Sequence, residues 1–372
     1  MIDTPSTDTS THAAVETPNG MCTTAPAADG TGSGAAGLVT ARELTKRFGD
    51  TEVVRRLDLD IEPGTILGLI GPSGSGKTTT VRLLTGLLAP DCGRATVFDT
   101  PATELSGAER ARIGYLPQVP ALFPELSLAE NLSFHASMYG LPFRRRERMD
   151  QLLDWVELGE HRRKRVADAS GGMQRRLALA AALVHDPEVV FLDEPTAGID
   201  PILRERLWER FRQRASKGAT LVVTTQYVGE AGQCDYVGLL SDGELVLLDT
   251  PERLRRAAFG GEVADVRTSR PLSDAELASF VGARFVCGEP ERVGPSTIRF
   301  AVDDLDAAGD AIRSAMTEVG VEVVEIDEHL VDYDEAFVRV VQRHRGRHDV
   351  PEDEEPATVP AAAGDGADGE AV

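Results

Sequence analysis

A glycine-rich segment between an apolar run and a helical pattern constrains the fold of this 372-residue chain more than any other feature. The run at 65–70 is almost entirely apolar, as in a buried strand, and Val81, Leu84 and Leu88 are spaced as one helix face. The segment fits the pattern Gly-x-x-x-x-Gly-Lys-Thr in its required context of strand, loop and helix. Its residues, with one more from the helix, are Gly71, Pro72, Ser73, Gly74, Ser75, Gly76, Lys77, Thr78 and Thr79.

The residue types in this segment are those that phosphate binding requires. Glycines let backbone N–H groups turn toward phosphate oxygens, and the helix N-terminus adds a favourable dipole. Lys77 is expected to bridge the β- and γ-phosphates of a nucleotide, and the Thr78 hydroxyl to bind Mg²⁺. The alternative is a chance glycine-rich turn, which the flanking strand and helix disfavour. We therefore predict that the segment is a phosphate-binding loop, or P-loop.

Two carboxylates stand at the end of another apolar run, at 189–194. A buried strand with acids at its carboxyl end places them in the crevice where α/β sheets bind ligands. Asp193 is expected to hold Mg²⁺ through its water shell, and Glu194 to act as general base on the attacking water. The alternative, in which two acids simply open a solvated loop, is less favoured beside a P-loop.

Buried-strand patterns alternate with helical ones from 38 to 251, which predicts an α/β fold of the P-loop NTPase type with a mostly parallel sheet. The stretch at about 119–170 is helical in pattern and predicts a helical insertion into the sheet domain. Ser127 and Glu130 have the spacing of a capping box at the start of that insertion.

The pattern changes after residue 251 to the order βαββαβ, which predicts a small ferredoxin-like α+β domain at 252–345. The expected strands are 262–268, 284–286, 297–302 and 321–326, and the expected helices are 275–281, 305–319 and 334–342. The two ends of the chain, 1–37 and 346–372, have few large apolar side chains and are predicted to be disordered tails, the second of them acidic.

The composition argues against one class of partner. The chain carries 61 Asp and Glu against 39 Lys and Arg, a formal net charge of −22. Such a surface disfavours unaided binding to nucleic acid, so no nucleic-acid partner is expected. Adaptation to high salt and an ordinary acidic protein both fit this charge. Because no segment approaches the roughly 20 consecutive apolar residues that span a bilayer, a role at a membrane would need a partner chain.

A third motif links the two phosphate motifs to a family. The run Ser170-Gly171-Gly172 lies between them in the chain and resembles the signature loop of the nucleotide-binding subunits of ATP-binding cassette (ABC) transporters. On its own it would be an ordinary helix N-cap. The resemblance extends from about 39 to 251. It assigns three further nucleotide-site residues: Gln118 as the Q-loop glutamine and a Mg²⁺ ligand, Asp200 in the D-loop, and Phe48 as the aromatic that stacks on adenine.

The resemblance implies a dimer of two cassettes with two ATP molecules at their interface, and the expected second cassette is an identical copy. Each ATP would lie on the P-loop of one subunit and be capped by Ser170, Gly171 and Gly172 of the other. Mg²⁺-dependent ATP hydrolysis would power a membrane exporter of the drug and polymer type. The exporter would include a separate polytopic transmembrane permease subunit, with this chain at the cytoplasmic face of the cell membrane.

One position departs from the family pattern. Gln226 follows the strand-like run at 220–225, where the family usually has a histidine that contacts the γ-phosphate. Glutamine can donate an amide hydrogen bond there but cannot take up a proton. We expect Gln226 to replace that histidine, so that Lys77, Glu194 and Gln226 are the predicted catalytic residues. Two alternatives stay open: a soluble cassette ATPase that remodels a protein or nucleic-acid complex, and a nucleotide-dependent switch with negligible turnover.

The segment after Gln118 offers a candidate contact with a partner. Leu122 and Phe123 are equally consistent with local core packing and with a docking surface for a partner helix. In the family the helical insertion contacts the membrane subunit. The arginine run at 144–146 is consistent with a solvated face or with contact to anionic lipid headgroups.

Overall fold

The computed structural model describes residues 37–142 and 145–348. Residues 1–36 and 349–372, which hold most of the two predicted tails, lie outside the described residues, as does Arg144 of the arginine run. The strands are β1 (Val39–Phe48), β2 (Thr51–Ile61), β3 (Ile66–Ile70), β4 (Cys92–Val97), β5 (Thr100–Pro101), β6 (Ile113–Leu116), β7 (Val189–Asp193), β8 (Thr220–Thr225), β9 (Tyr236–Ser241), β10 (Glu244–Asp249), β11 (Glu262–Thr268), β12 (Glu291–Gly294), β13 (Thr297–Val302) and β14 (Val323–Glu328). The helices are α1 (Lys77–Leu84), α2 (Gly107–Arg110), α3 (Leu128–Met138), α4 (Arg146–Trp155), α5 (Gly171–Leu183), α6 (Pro201–Ala215), α7 (Pro251–Phe259), α8 (Asp274–Ala278), α9 (Leu305–Glu318) and α10 (Tyr333–His348).

The central sheet has the strand order β10-β9-β3-β8-β7-β6, and every neighbouring pair is parallel except β9 with β10. All residues of β3, β7 and β8 are buried, as their continuous apolar runs predict for strands covered on both faces. Parallel strands end at the same edge of a sheet. The loop after β3 and the acids at the carboxyl end of β7 are therefore separated only by the strand β8.

A second sheet, of order β2-β1-β4-β5, is antiparallel and packs with the central sheet around a shared core. That core includes Leu67 and Leu69 from β3 and Val81 and Leu84 from α1. Because α1 is held by this core, the position of the P-loop at its N-terminus is fixed by packing on both sides.

The predicted helical insertion contains α3 and α4 and leads into α5. The predicted capping box is confirmed, since Ser127 Oγ accepts a hydrogen bond from Glu130 N at 3.3 Å and Ser127 N donates to the Glu130 carboxylate at 2.8 Å. Helix α5 is mostly buried, with Leu177 and Leu179 in the main core. The helical region is thereby packed onto the strands that carry the two phosphate motifs.

The third sheet is antiparallel with the order β12-β13-β11-β14. Each strand pair joined through a helix has one strand between its members, as expected for the predicted ferredoxin-like arrangement. The strand predicted at 284–286 is wrong, because β12 lies later, at Glu291–Gly294. Phe285 and Val286 are partly buried against this domain's core from a turn, and a short apolar run cannot distinguish a strand from such a contact.

Helix α10 returns to the first part of the chain. Arg345 pairs with Asp242 at 2.9 Å and His344 with Glu244 at 3.0 Å, both at the β9–β10 hairpin. Within the described ranges, none of the helices combines the length and the apolar character needed to cross a membrane.

Candidate functional site

The P-loop connects β3 to α1, and its glycines are required by backbone geometry. Gly74 and Gly76 have φ angles of +83° and +100°, which side chains other than glycine rarely adopt. A Cβ atom on Gly71 would lie 2.2 Å from the carbonyl oxygen of Leu240, and one on Gly76 would lie 2.6 Å from that of Val53. The loop is thus shaped by close backbone approach, as a phosphate-binding turn requires.

Lys77 occupies the inside of this loop. Its Nζ donates to the carbonyl oxygens of Gly71 at 2.7 Å and Pro72 at 2.8 Å, and the residue is buried. Burial lowers the pKa of Lys77, while the nearby carboxylates of Glu194 and Asp193 act in the opposite direction. The loop carbonyls therefore hold the buried ammonium group, and the charges of the two acids favour it.

Asp193 is fully buried and joins three elements. Its Oδ1 accepts hydrogen bonds from the hydroxyls of Thr78 at 3.1 Å and Thr224 at 2.6 Å. Its Oδ2 is buried and has no hydrogen-bond partner among the described residues. An unpaired buried carboxylate oxygen beside a threonine hydroxyl is a donor set that suits a hard cation such as Mg²⁺.

Glu194 follows directly and has an unusual backbone. Its φ angle is +54°, in the left-handed region that residues with a side chain rarely adopt. The backbone N–H of Glu194 donates to both the carbonyl and the hydroxyl oxygen of Thr224, at 3.1 and 3.0 Å. Such conformations are found preferentially at functional sites, where surrounding bonds maintain them.

The predicted residues Gln118 and Gln226 lie near the same edge of the central sheet. Gln118 comes two residues after β6 and Gln226 directly after β8, the two strands that neighbour β7. Both side chains are exposed. Phe48 ends β1 with 52% of its surface exposed, and the Lys46 ammonium lies 5.8 Å from its ring centroid. An exposed aromatic in this position is available for stacking on a planar ring.

The signature and D-loop residues lie at two helix N-termini. Ser170 caps α5 by accepting a hydrogen bond from Met173 N at 3.3 Å, and Asp200 caps α6 by accepting one from Leu203 N at 3.0 Å. Within the described part of the chain, neither of these side chains hydrogen-bonds to the P-loop. Gly171 is exposed and Gly172 is partly exposed. Within the described residues of one chain, the side chains of Ser170 and Asp200 therefore cap their own helices and form no hydrogen bond with the P-loop.

Thr224 and Arg175 also belong to the site, although neither is part of the motifs described above. The Thr224 hydroxyl donates a hydrogen bond to Asp193 and accepts one from Glu194 N. Its signal in the sequence was a polar residue at the end of a buried strand. Arg175 donates hydrogen bonds to the backbone carbonyls of Glu194 and Gln118. Its signal was a charge among the mostly apolar residues that follow the signature run in α5.

Known proteins match the part of the chain that carries the P-loop and the two acids. Residues 54–197 match the family described as ABC transporter. The chain is 38% identical over 242 residues to the Nod factor export ATP-binding protein I of Rhizobium etli, covering 64% of this chain and 76% of that protein. It is 37% identical over 305 residues to a daunorubicin resistance ATP-binding protein of Streptomyces coeruleorubidus, covering 81% and 95%. Among solved structures, it is similar to an ATP-binding cassette in a dimeric post-hydrolysis state bound to ADP and Pi, with a TM-score of 0.53 and 27% identity over 57% of this chain and 98% of the other.

Proposed function

This chain belongs to the ABC transporter family and is an ATPase of that family, and from this premise we propose that it powers a membrane exporter formed with a separate polytopic permease. The observation that carries the export proposal is the similarity to the daunorubicin resistance protein over 305 residues. The chain has only 251 residues before the predicted accessory domain, so that similarity reaches into the accessory domain as well. An exporter subunit with the same two-part organisation is the simplest explanation.

The proposed chemistry is attack of water on the γ-phosphorus of ATP, which releases ADP and phosphate. Glu194 takes the proton of the attacking water, and Lys77 and the P-loop N–H groups stabilise charge on the phosphates. Thr78, Gln118 and Asp193 would hold Mg²⁺, which when bound neutralises phosphate charge. The unpaired Oδ2 of Asp193 supports this assignment, because a buried carboxylate oxygen without a partner is costly unless a cation or water satisfies it.

The proposed active form is a dimer of two identical cassettes at the cytoplasmic face of the membrane. Ser170, Gly171 and Gly172 stand at the N-terminus of α5, and Asp200 at that of α6, so that each offers its exposed surface to a second subunit. The N-terminus of a helix from the second subunit can bind the γ-phosphate, which ATP has and ADP lacks. ATP binding would then favour the closed dimer, and hydrolysis would open it.

An exposed apolar patch supports a contact with the permease. It consists of Phe123, Phe134 and Met138, from α3 and the loop before it. The rings of Phe123 and Phe134 pack edge to face with centroids 4.5 Å apart, and Met138 has 71% of its surface exposed. Leu122 instead packs against the main core, so of the two residues for which the sequence allowed packing or docking, only Phe123 belongs to the exposed patch. Clustered exposed apolar side chains mark interaction sites, and a transmembrane partner is the occupant we propose.

The experiment that tests the exporter proposal is affinity purification of the full chain, carrying Glu194→Gln, with Mg·ATP from detergent-solubilised membranes. Blocking hydrolysis should hold the ATP-bound assembly together. A stoichiometric polytopic membrane protein is the expected partner. Recovery of only water-soluble partners would contradict the exporter and favour the remodelling ATPase.

Met138→Glu should reduce recovery of the permease by about 10-fold or more, because a charge would be buried in an apolar contact. Basal ATP hydrolysis by the isolated chain should stay within about 2-fold, since Met138 is exposed and outside the nucleotide site. The control is Val324→Glu, at an apolar residue of β14 that is 56% exposed. Equal recovery with both variants would exclude the patch as the docking surface.

Gln226→Ala should lower ATP turnover by about 10-fold while leaving ATP affinity nearly unchanged, because one amide hydrogen bond to the γ-phosphate would be lost in the transition state. Phosphate release and nucleotide titration measure the two quantities. Gln213→Ala, at an exposed glutamine of α6, is the matched control. If turnover is unaffected, Gln226 does not contact the γ-phosphate.

A further inference from the structure

One buried arginine joins the two loops that carry the proposed Mg²⁺ ligand Gln118 and the proposed base Glu194. Arg175 lies in α5, two residues after Met173, and only 5% of its surface is exposed. Every hydrogen bond that its guanidinium makes within the described residues goes to a backbone carbonyl. No described residue forms a salt bridge with Arg175, so the carbonyl oxygens satisfy its buried guanidinium and are held in place by it.

The guanidinium spans two neighbouring strands of the central sheet. Its Nη1 donates to the carbonyls of Pro117 and Gln118, both at 2.7 Å, just beyond β6. Its Nε and Nη2 donate to the carbonyl of Glu194 at 3.2 and 2.8 Å, and Nη2 also donates to that of Asp193 at the end of β7. The planar fork of an arginine can make these bonds at the same time, whereas a lysine ammonium offers three donors from one point.

These bonds complete a clamp on the main chain of Glu194. Thr224 holds the N–H of Glu194 from one side, and Arg175 holds its carbonyl from the other. Because the φ angle of Glu194 is +54°, the conformation depends on such surrounding bonds. Burial lowers the pKa of Arg175, and the negative charges of Asp193 and Glu194 oppose this effect by favouring the charged guanidinium.

We propose that Arg175 is a positioning residue for ATP hydrolysis, which sets the carboxylate of Glu194 against the nucleotide and fixes its distance from Gln118. This inference rests on the proposed role of Glu194 as the base. Arg175 touches neither water nor phosphate in this role, so its loss should affect the rate of the chemical step and not the binding of ATP. A displacement of about 1 Å at a reacting group is enough to cost on the order of 100-fold in rate.

The test is to substitute Arg175 in the full chain and to measure kcat, KM and ATP affinity separately. Arg175→Met should lower kcat by about 30-fold with KM and ATP affinity within about 3-fold. Arg175→Lys should recover part of this loss and remain about 5-fold below the original chain, since lysine cannot reproduce the fork. Arg148→Met is the matched control, because Arg148 also donates to backbone carbonyls, those of Leu183 and Val184, away from the P-loop.

A double substitution separates positioning from a general effect on folding. If Arg175 acts through Glu194, then Arg175→Met should lower the residual kcat of the Glu194→Gln chain by less than about 3-fold. Loss of the full 30-fold in that background would overturn the proposal, as would a normal kcat for Arg175→Met. If Arg175→Met does not fold, as judged by its thermal unfolding, a normal kcat for Arg175→Lys overturns it. Turnover retained by Glu194→Gln alone would instead remove the proposed base, whatever the Arg175 variants do.

Discussion

Glu194→Gln should abolish nearly all ATP hydrolysis while leaving ATP binding intact. The amide has almost the same shape as the carboxylate but cannot take up the proton of the attacking water, and general base catalysis contributes about 10²- to 10⁴-fold. We expect kcat to fall by about 10³-fold and ATP affinity to change by less than about 3-fold. An ATP-bound dimer should accumulate, which size-exclusion chromatography with Mg·ATP would detect as a shift from monomer to dimer.

The matched control for this substitution is Glu205→Gln, at an exposed glutamate of α6. It removes the same charge outside the P-loop cluster and should leave hydrolysis and dimer formation unaffected. Hydrolysis by Glu194→Gln at more than about a tenth of the original rate would show that another group accepts the proton. If Glu194→Gln formed a stable ATP-bound dimer and still hydrolysed ATP normally, then dimer stability would not depend on loss of the base.

The sequence was sufficient to predict which strands are central. Strands β3, β7 and β8 are buried on both faces, and their central residues form continuous apolar runs that half-exposed strands and surface helices do not show. The acids after such a run are expected in the crevice where α/β sheets bind ligands. The structure agrees, because Thr78 of the P-loop hydrogen-bonds to Asp193 although 115 positions separate them. Long-range proximity here follows from sheet topology alone.

The sequence was not sufficient where a side chain acts through backbone atoms. Among the described residues, the side chain of Arg175 donates only to the backbone carbonyls of residues 117, 118, 193 and 194, and carbonyls are the same in every residue. No pattern of side chains records such a contact. The same limit explains Phe285 and Val286, whose apolar character predicted a strand but reflects packing from a turn. Leu122 and Phe123 differ in burial for a related reason, since only tertiary packing decides which neighbour is covered.

Asp193→Asn should remove Mg²⁺-dependent hydrolysis without unfolding the chain. Asparagine keeps an oxygen that can accept the hydroxyl hydrogens of Thr78 and Thr224, so the local bonds of Asp193 Oδ1 can persist. The unpaired Oδ2, however, becomes an amide nitrogen, which cannot approach a cation. We expect kcat to fall by at least about 100-fold. The midpoint of thermal unfolding should change by only a few degrees, because relief of a buried charge opposes the lost attraction to Lys77 and Arg175.

The decisive measurement for Asp193→Asn is ATP affinity with Mg²⁺ and again with the metal removed by EDTA. If Asp193 holds the ion, Mg²⁺ should strengthen ATP binding to the original chain clearly more than to the variant, and the two chains should bind ATP alike in EDTA. Asp310→Asn, at an exposed aspartate of α9, should behave as the original chain in both conditions. A Mg²⁺ effect of equal size in both chains would assign the metal to other ligands. Asp193 would then serve only to connect α1 with β8 through Thr78 and Thr224, and the low exposure of its carboxylate would reflect packing alone.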